Sequence, residues 1–523
     1  MDRERWLKGA HSAGAAWAAA LLLFAAGYAI ANRFQLTHAV LYRFAAGDRD
    51  AAIVGFLFLT LQAAVFLAAL ILFPRRWAAL LLTLAGASIL INLGYSQIIP
   101  ELIDSGSLAW MAAEVRQVHH AAGQFSGDFL SIALQAAAAI ALFATARAVA
   151  RRQRAMPRNA GVGVLLAALL LVPSPVWPEA AERNLYTLGG RILRAPPPPA
   201  RAEVRLAPDP QAAPPRHIIW LVDESVAAEP FARLIAPTLR GVAHLDFGVA
   251  AALGHCSAPA QVALRSGVEV RRVSAATDLR ATPSIWGYVK AAGYRTALIE
   301  GQTEGAPQNL LLPPERALID DYRPMVGGID TDLRIADALN AQMKRPGKSF
   351  TFVVLRGVHF QYRDHYPAGA IPADSPVALQ YDTALRWSKR EFFARLLAGV
   401  DRDDAAIVYT SDHGQNLTPG ALPHCSREAV ADEFRVPLLA FLPDRLAARY
   451  AAAPRSGHST SQIFPAMLGW MGYDAAAAAA RYDRDLTDPT ARFVWFDRAA
   501  VPMAAGASVE VHAGAHFPGT AGR

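Results

Sequence analysis

Five apolar stretches crowd the first third of the chain, and they constrain the fold more than any other feature. They run approximately Ser12–Ala31, Ala51–Phe73, Trp77–Ile99, Phe129–Thr145 and Ala160–Trp177. Each is close to the ~20 residues that a helix needs to cross a ~30 Å hydrocarbon core. Lipid offers backbone polar groups no partners, so stretches of this kind cross as helices. The expected beginning is a membrane domain of five transmembrane helices over residues 1–178. These helices also explain a hydrophobic content of 53%, high for a soluble chain.

The charges between the stretches alternate. Arg3, Arg5 and Lys8 precede the first, Arg75 and Arg76 separate the second and third, and Arg151, Arg152, Arg154 and Arg158 separate the fourth and fifth. The other loops are mixed or acidic, with Arg43, Asp48, Arg49 and Asp50 in one and Glu101, Asp104 and Glu114 in the other. Basic loops stay in the cytoplasm. The expectation is a cytoplasmic N-terminus and an external location for everything after Trp177. Four further spans favour an uncleaved anchor over a signal peptide. The net charge of +7 is taken up by these topology signals and scattered arginines. No basic stripe with interleaved aromatics follows residue 216, so no nucleic-acid partner is expected.

Residues 179–215 read as a Pro/Ala-rich connector that contains the run Ala195-Pro-Pro-Pro-Pro-Ala200. Such a run favours extended backbone and suits a spacer. Part of Ala180–Leu193 fits an interfacial helix. From Arg216 the pattern changes to short apolar runs: His217–Val222, Thr296–Ile299, Phe350–Leu355, Ala405–Tyr409 and Val436–Leu442. Helix-like segments such as Ser284–Ala292 and Tyr381–Leu397 lie between them. Continuous apolar strands alternating with helices predict an α/β domain with a largely parallel sheet over residues 216–499. A tail, 500–523, is rich in Ala and Gly and receives no assignment.

The residues that carry chemistry stand directly after the strands. Ile218–Val222 leads into Asp223-Glu224-Ser225, Phe350–Leu355 into Arg356-Gly357-Val358-His359, and Ala405–Thr410 into Ser411-Asp412-His413-Gly414. Ligands of open α/β sheets bind just beyond the carboxyl ends of the strands. Carboxylates and imidazoles delivered together to that edge form a donor set for a divalent cation. Each motif alone reads equally as a cap or loop; the combination points to function. The segment His255–Gly267 reads as a turn that opens a short helix, with Pro259 in its first turn. A nucleophile there lies at a helix N-terminus, which also favours a bound phosphate. A free Ser is a weak nucleophile until a base or metal activates it.

With these motifs the chain resembles the alkaline phosphatase and sulfatase superfamily. More narrowly, it is similar to the bacterial inner-membrane phosphoethanolamine transferases that modify lipid A and related surface glycans. The resemblance covers nearly the whole length. It implies Glu224, Asp412 and His413 as metal ligands, with Ser257 completing the set as the nucleophile. Gly357-Val358-His359 through Tyr366-Pro367 resembles a family segment that puts His359 at the phosphate or at a second metal. Pro423-His424 resembles the family's late His, with the same kind of role. Tyr381-Asp382 before a helix and Gly457-His458-Ser459 also resemble family segments. Zinc is the implied metal, as one or two ions, with manganese the next candidate. His365, Asp364 and Glu300 are further candidates to line the substrate pocket, and His255 reads as a supporting residue.

Two departures stand out. The transferases usually use Thr in a Cys-flanked segment, whereas Ser257-Ala258-Pro259, Leu264 and Ser266-Gly267 space onto the sulfatase-type nucleophile motif. Ser257 is preferred to Cys256 on that spacing, and Gln261 stands where sulfatases carry Arg. The transferases also often hold several disulfides, and this chain has only Cys256 and Cys425. These two flank residues assigned to one site, so a disulfide between them and two free thiols are both open. The implied activity is transfer of a phosphoethanolamine-type group through a phospho-Ser257 intermediate. The donor would be a phospholipid such as phosphatidylethanolamine, and the acceptor lipid A or a surface glycan. The implied location is the bacterial inner membrane, multi-pass, with a periplasmic catalytic domain. The alternatives are a phosphoglycerol transferase, a phosphate or sulfate ester hydrolase of the same superfamily, and a membrane sensor or scaffold on a decayed enzyme domain.

Overall fold

A computed structural model of the chain describes residues 3–45, 47–98, 102–113, 126–152, 159–175, 178–303, 308–359, 361–398, 403–419, 421–426, 429–497, 500 and 502–503. Ile99, Glu101, Glu114, Arg154, Arg158, Trp177 and the tail beyond Met503 lie outside the described residues. The chain divides into two compact units, Met1–Pro196 and Pro197–Arg523. The division falls inside the stretch read as a connector.

The first unit contains α1 (Arg3–Ala31), α2 (Arg49–Leu72), α3 (Arg75–Ile98) and α4 (Ser126–Arg151). Among the described residues, these four helices are long and apolar enough to cross a membrane. The expectation of five is thereby corrected. The fifth apolar run forms only α5, Ala160–Leu169, ten residues long. Asn159 caps its start by accepting from Val162 N at 3.0 Å. Pro173 and Pro175 prevent its extension, because proline cannot donate to a helix and disfavours helical backbone just before it. Hydropathy alone does not register those two residues.

α6 (Ala181–Leu193) comes next and packs on α3 within this unit. Its own N-cap, Ala180, has no capping side chain. Partners from distant helices act instead: Asn32 Oδ1 accepts from Ala181 N at 2.7 Å, and Gln62 Oε1 accepts from Ala180 N at 2.9 Å. Buried amides at a helix start are thus satisfied.

The second unit is built on one eight-stranded sheet. Its strands are β1 (His217–Asp223), β2 (Leu245–Ala251), β3 (Arg295–Glu300), β4 (Asp321–Pro324), β5 (Ser349–Val354), β6 (Ala405–Ser411), β7 (Arg435–Phe441) and β8 (His458–Ser459). The spatial order is β4-β3-β5-β1-β6-β7-β2-β8. Only β7 runs against its neighbours, β6 and β2. All seven residues of β1 and of β6 are buried, which is why these strands read as unbroken apolar runs.

The helices that matter for the site are α7 (Ser257–Ser266), α8 (Ile285–Ala291), α9 (Thr331–Met343), α10 (Val377–Leu397) and α11 (Ile463–Trp470). Side chains alternate across a strand, so β1 feeds two cores. Ile218, Trp220 and Val222 join the core that includes Trp286 of α8 and Phe464 of α11. Ile219 and Leu221 join the one that includes Leu339 of α9 and Phe392 of α10. Helices cover both faces, and the open end of the sheet is left for chemistry.

Candidate active site

β1, β5 and β6 are parallel neighbours, and their carboxyl ends emerge side by side. Glu224 follows β1, Asp412 and His413 follow β6, and all three are buried. One ligand atom from each lies within 4.8 Å of the others. α7 brings Ser257 to the same place at its first residue. Ser257 Oγ lies 3.1 and 3.2 Å from the two carboxylate oxygens of Glu224 and 3.3 Å from His413 Nε2.

The backbone around Glu224 is tightly specified. Ser225 adopts a left-handed conformation, with φ 61°. For a residue with a Cβ this costs about 1–3 kcal/mol and needs support from its surroundings. Ser225 N donates to Asp412 Oδ1 at 3.2 Å, its Oγ donates to Glu224 Oε1 at 2.9 Å, and its carbonyl accepts from Tyr381 Oη at 2.8 Å. Gly357, with φ 61°, lies against Glu224; a Cβ there would stand 2.4 Å from the Glu224 carbonyl oxygen. Only glycine fits that contact.

A buried charge network underlies the site. Lys389 Nζ, on α10, lies 2.9 Å from Asp223 Oδ2 and 2.6 Å from Asp332 Oδ2. Asp223 accepts from Glu224 N at 3.0 Å and from Tyr409 Oη at 2.6 Å. Asp332, on α9, accepts from Arg356 N at 2.8 Å and from Ser388 Oγ at 2.8 Å. One cation therefore ties the β1 loop carrying Glu224 to the β5 loop carrying His359. Burial lifts Asp223 to about 6, aided by the Asp332 charge and opposed by Lys389. Burial alone would lower Lys389, but Asp223 and Asp332 hold it above its ordinary value.

The donors fit a divalent cation. His413 Nδ1 donates to the Gly414 carbonyl at 2.8 Å, leaving Nε2 to face Ser257 and Glu224. A carbonyl that fixes the other ring nitrogen is the usual support of a ligating His. Asp412 Oδ2 is buried with no hydrogen-bond partner among the described residues. Burial and the Glu224 carboxylate raise Asp412 to about 8. Burial would raise Glu224 too, but the bond and charge from His413 hold it well below its ordinary value. His413 would fall on burial, yet the charges of Asp412 and Glu224 lift it to about 9. Two carboxylates here demand positive charge, which an imidazolium supplies only by giving up its lone pair; a divalent ion satisfies all three groups.

The other expected residues fall into two groups. His424 stacks near His413, with ring centroids 4.5 Å apart, and His359 lies 5.4 Å from His424. Loss of hydration, then the charges of His413 and His359, hold His424 well below its ordinary value. Cys256 and Cys425 form a disulfide. Cys425 N also donates to the His255 carbonyl at 2.9 Å, so the His424 loop is pinned to the segment that leads into Ser257. His255 is buried against Phe434 and bonds to the Ser426 carbonyl. The Asp364 carbonyl accepts from the Arg356 guanidinium. His365 and Glu300 are both buried. His365 is buried, and that burial, then Arg356, lowers it to about 3. Glu300 accepts from Gln302 N at 2.9 Å, and it is Gln302 whose Nε2 donates to Glu224 Oε2 at 2.8 Å. Gln302 is not among the residues expected from sequence; its signal is its place just beyond β3, at the same sheet edge. Lys389 has a clearer signal, an ammonium on the buried stripe Tyr381, Leu385, Ser388, Phe392 of α10.

Residues 263–473 match the family model described as Sulfatase. No curated protein matches the chain. Among solved structures, the integral membrane protein lipooligosaccharide phosphoethanolamine transferase A from Neisseria meningitidis has the same fold. It is similar with a TM-score of 0.50 at 14% identity, over 89% of this chain and 96% of that one. The C-terminal periplasmic domain of EcEptC from Escherichia coli, in complex with Zn, is similar with a TM-score of 0.47 at 17% identity, over 58% of this chain and 96% of that one.

Proposed function

We propose that this chain, whose residues 263–473 match the Sulfatase family model, transfers a phosphoethanolamine-type group from a phospholipid to lipid A or a surface glycan. The observation that carries this reading is Ser257 Oγ, held 3.1 Å from Glu224 and 3.3 Å from His413 at a helix N-terminus. A hydroxyl so placed is an activated nucleophile with an anion site beside it. The likeness in fold to a lipooligosaccharide phosphoethanolamine transferase supports the choice of group.

Glu224, Asp412, His413 and Ser257 would hold the metal. Zinc suits mixed carboxylate and imidazole donors, with manganese second. When bound, such an ion lowers the pKa of a coordinated hydroxyl and neutralises charge on phosphoryl oxygens. Ser257 Oγ gives its proton to His359 or His424 and attacks phosphorus. The bond from phosphorus to the diacylglycerol oxygen breaks, and that oxygen takes up a proton. A phospho-Ser257 diester remains. The acceptor's hydroxyl or phosphate oxygen then attacks phosphorus and the Ser257 oxygen leaves. His359 and His424 flank the site and are the proposed proton carriers for the departing oxygens. Gln302 holds Glu224 in place throughout. The disulfide and the basic loops support an oxidising, periplasmic location for the second unit and a cytoplasmic N-terminus.

The test is Ser257→Ala in the full chain, reconstituted with headgroup-labelled phosphatidylethanolamine and lipid A. Transfer is expected to vanish while metal content stays; undiminished transfer refutes the assignment. The mass added to the acceptor separates phosphoethanolamine from phosphoglycerol. Headgroup release without an acceptor would mark a hydrolase.

A further inference from the structure

A groove of about 750 Å³ lies in the first unit between the end of α1 and the first half of α4. Its walls are mostly apolar, with Ile30 on one side and Leu130, Leu134 and Ala138 on the other. Arg33 stands in the same groove, just past the end of α1. One Arg33 terminal nitrogen donates to Gln97 Oε1, but its Nε is buried with no hydrogen-bond partner. Among the described residues Arg33 has no ion pair. A guanidinium at a membrane boundary without a counter-charge is costly unless an anion meets it.

The dimensions agree with one occupant. From Gly127 to Ala138, α4 covers about 16 Å at ~1.5 Å per residue. The hydrocarbon core is ~30 Å thick, so the groove runs the depth of about one leaflet. A cation therefore sits at one end, and an apolar trough leads from it towards the bilayer centre. We infer that this groove is a phospholipid site: the lipid phosphate lies on the Arg33 guanidinium and an acyl chain lies along Leu130, Leu134 and Ala138. Guanidinium matches phosphate through paired N–H donors, and the half-buried Arg33 makes a single side-chain hydrogen bond among the described residues, to Gln97. The site lies wholly in the first unit and does not depend on the transfer reaction.

The test uses the full chain with Ser257→Ala, so that turnover removes no lipid. The delipidated protein in detergent is offered dioleoyl phosphatidylglycerol or dioleoylglycerol, and native mass spectrometry counts the lipid retained. One phospholipid per chain is expected, with at least tenfold less dioleoylglycerol, which has the same chains and no phosphate. Arg33→Gln should lower phospholipid occupancy at least tenfold. Ala138→Phe, which fills the trough at an exposed position, should do the same with Arg33 intact. Equal retention of the two lipids overturns the inference. So does unchanged occupancy in both variants.

Discussion

Replacement of Lys389 by Met tests how the site is held together. Lys389 is fully buried, and both its partners are carboxylates. Met has a similar length and fills the same space, so the change removes charge and little volume. Asp332 would keep its bonds from Arg356 N and Ser388 Oγ, and Asp223 those from Tyr409 and Glu224 N. Neither would keep a counter-charge. Removing one partner of a buried pair costs about 3–5 kcal/mol. At roughly 2 °C per kcal/mol for a domain of this size, the melting midpoint should fall by about 6–10 °C. The pH dependence identifies the cause. Asp223 is already raised to about 6, and loss of Lys389 raises it further. Its folded pKa would exceed the unfolded value of about 4, so the variant gains stability as pH falls. Between pH 7.5 and 6 the deficit should shrink by up to about 2 kcal/mol. The assay is heat unfolding of the full chain in detergent, followed by fluorescence of the buried Trp220, Trp286 and Trp470. A deficit below 1 kcal/mol at pH 7.5, or one that does not shrink at pH 6, would refute this account.

The geometry supports three further outcomes. Gly357→Ala places a methyl 2.4 Å from the Glu224 carbonyl oxygen at φ 61°. It should cost roughly 2–4 kcal/mol and reduce metal content, and a variant with wild-type melting and metal content would contradict the role given to Gly357. Cys256 and Cys425 lie 169 residues apart, for which the chain-entropy argument sets a ceiling of about 5 kcal/mol. Reductant should expose two thiols and lower the midpoint; two free thiols in untreated protein would show that the bond is absent. His365 has a folded pKa of about 3, below its unfolded ~6.5. The unfolded chain takes up the proton first, so the stability it contributes is complete above pH 6.5. That stability is lost as pH falls towards 3, at up to ~1.4 kcal/mol per unit. His365→Gln should flatten this slope, and identical slopes between pH 6.5 and 5 would exclude the effect.

Much of this organisation is legible in the sequence where one residue type answers to one constraint. β1 and β6 are buried on both faces, so their apolar runs admit few other readings. The motifs Asp223-Glu224 and Asp412-His413 come directly after those strands, and the parallel register brings them together. β2 escapes a reading by pattern because it is half-buried, carries Gly248 at positive φ and changes register between Asp246 and Val249. Nothing local marks that β7 runs antiparallel, since direction is set by the tertiary path. The fifth apolar run reads as a full span because hydropathy averages over Pro173 and Pro175. Gln302 is hidden for another reason: it acts by a single hydrogen bond on Glu224, 78 residues away in sequence.

The Cys256–Cys425 bond also sets an order of events. The Ser257 segment is synthesised long before the His424 loop, and the bond between them waits until Cys425 has emerged and an oxidant has met both thiols. Glu224, Asp412 and His413 need no such step, because the sheet alone gathers them. Maturation would then have two stages: the folded cluster of Glu224, Asp412 and His413 first, and the crosslink afterwards. A copy held in a reducing compartment would stop between them, with its sheet complete and its His424 loop untied.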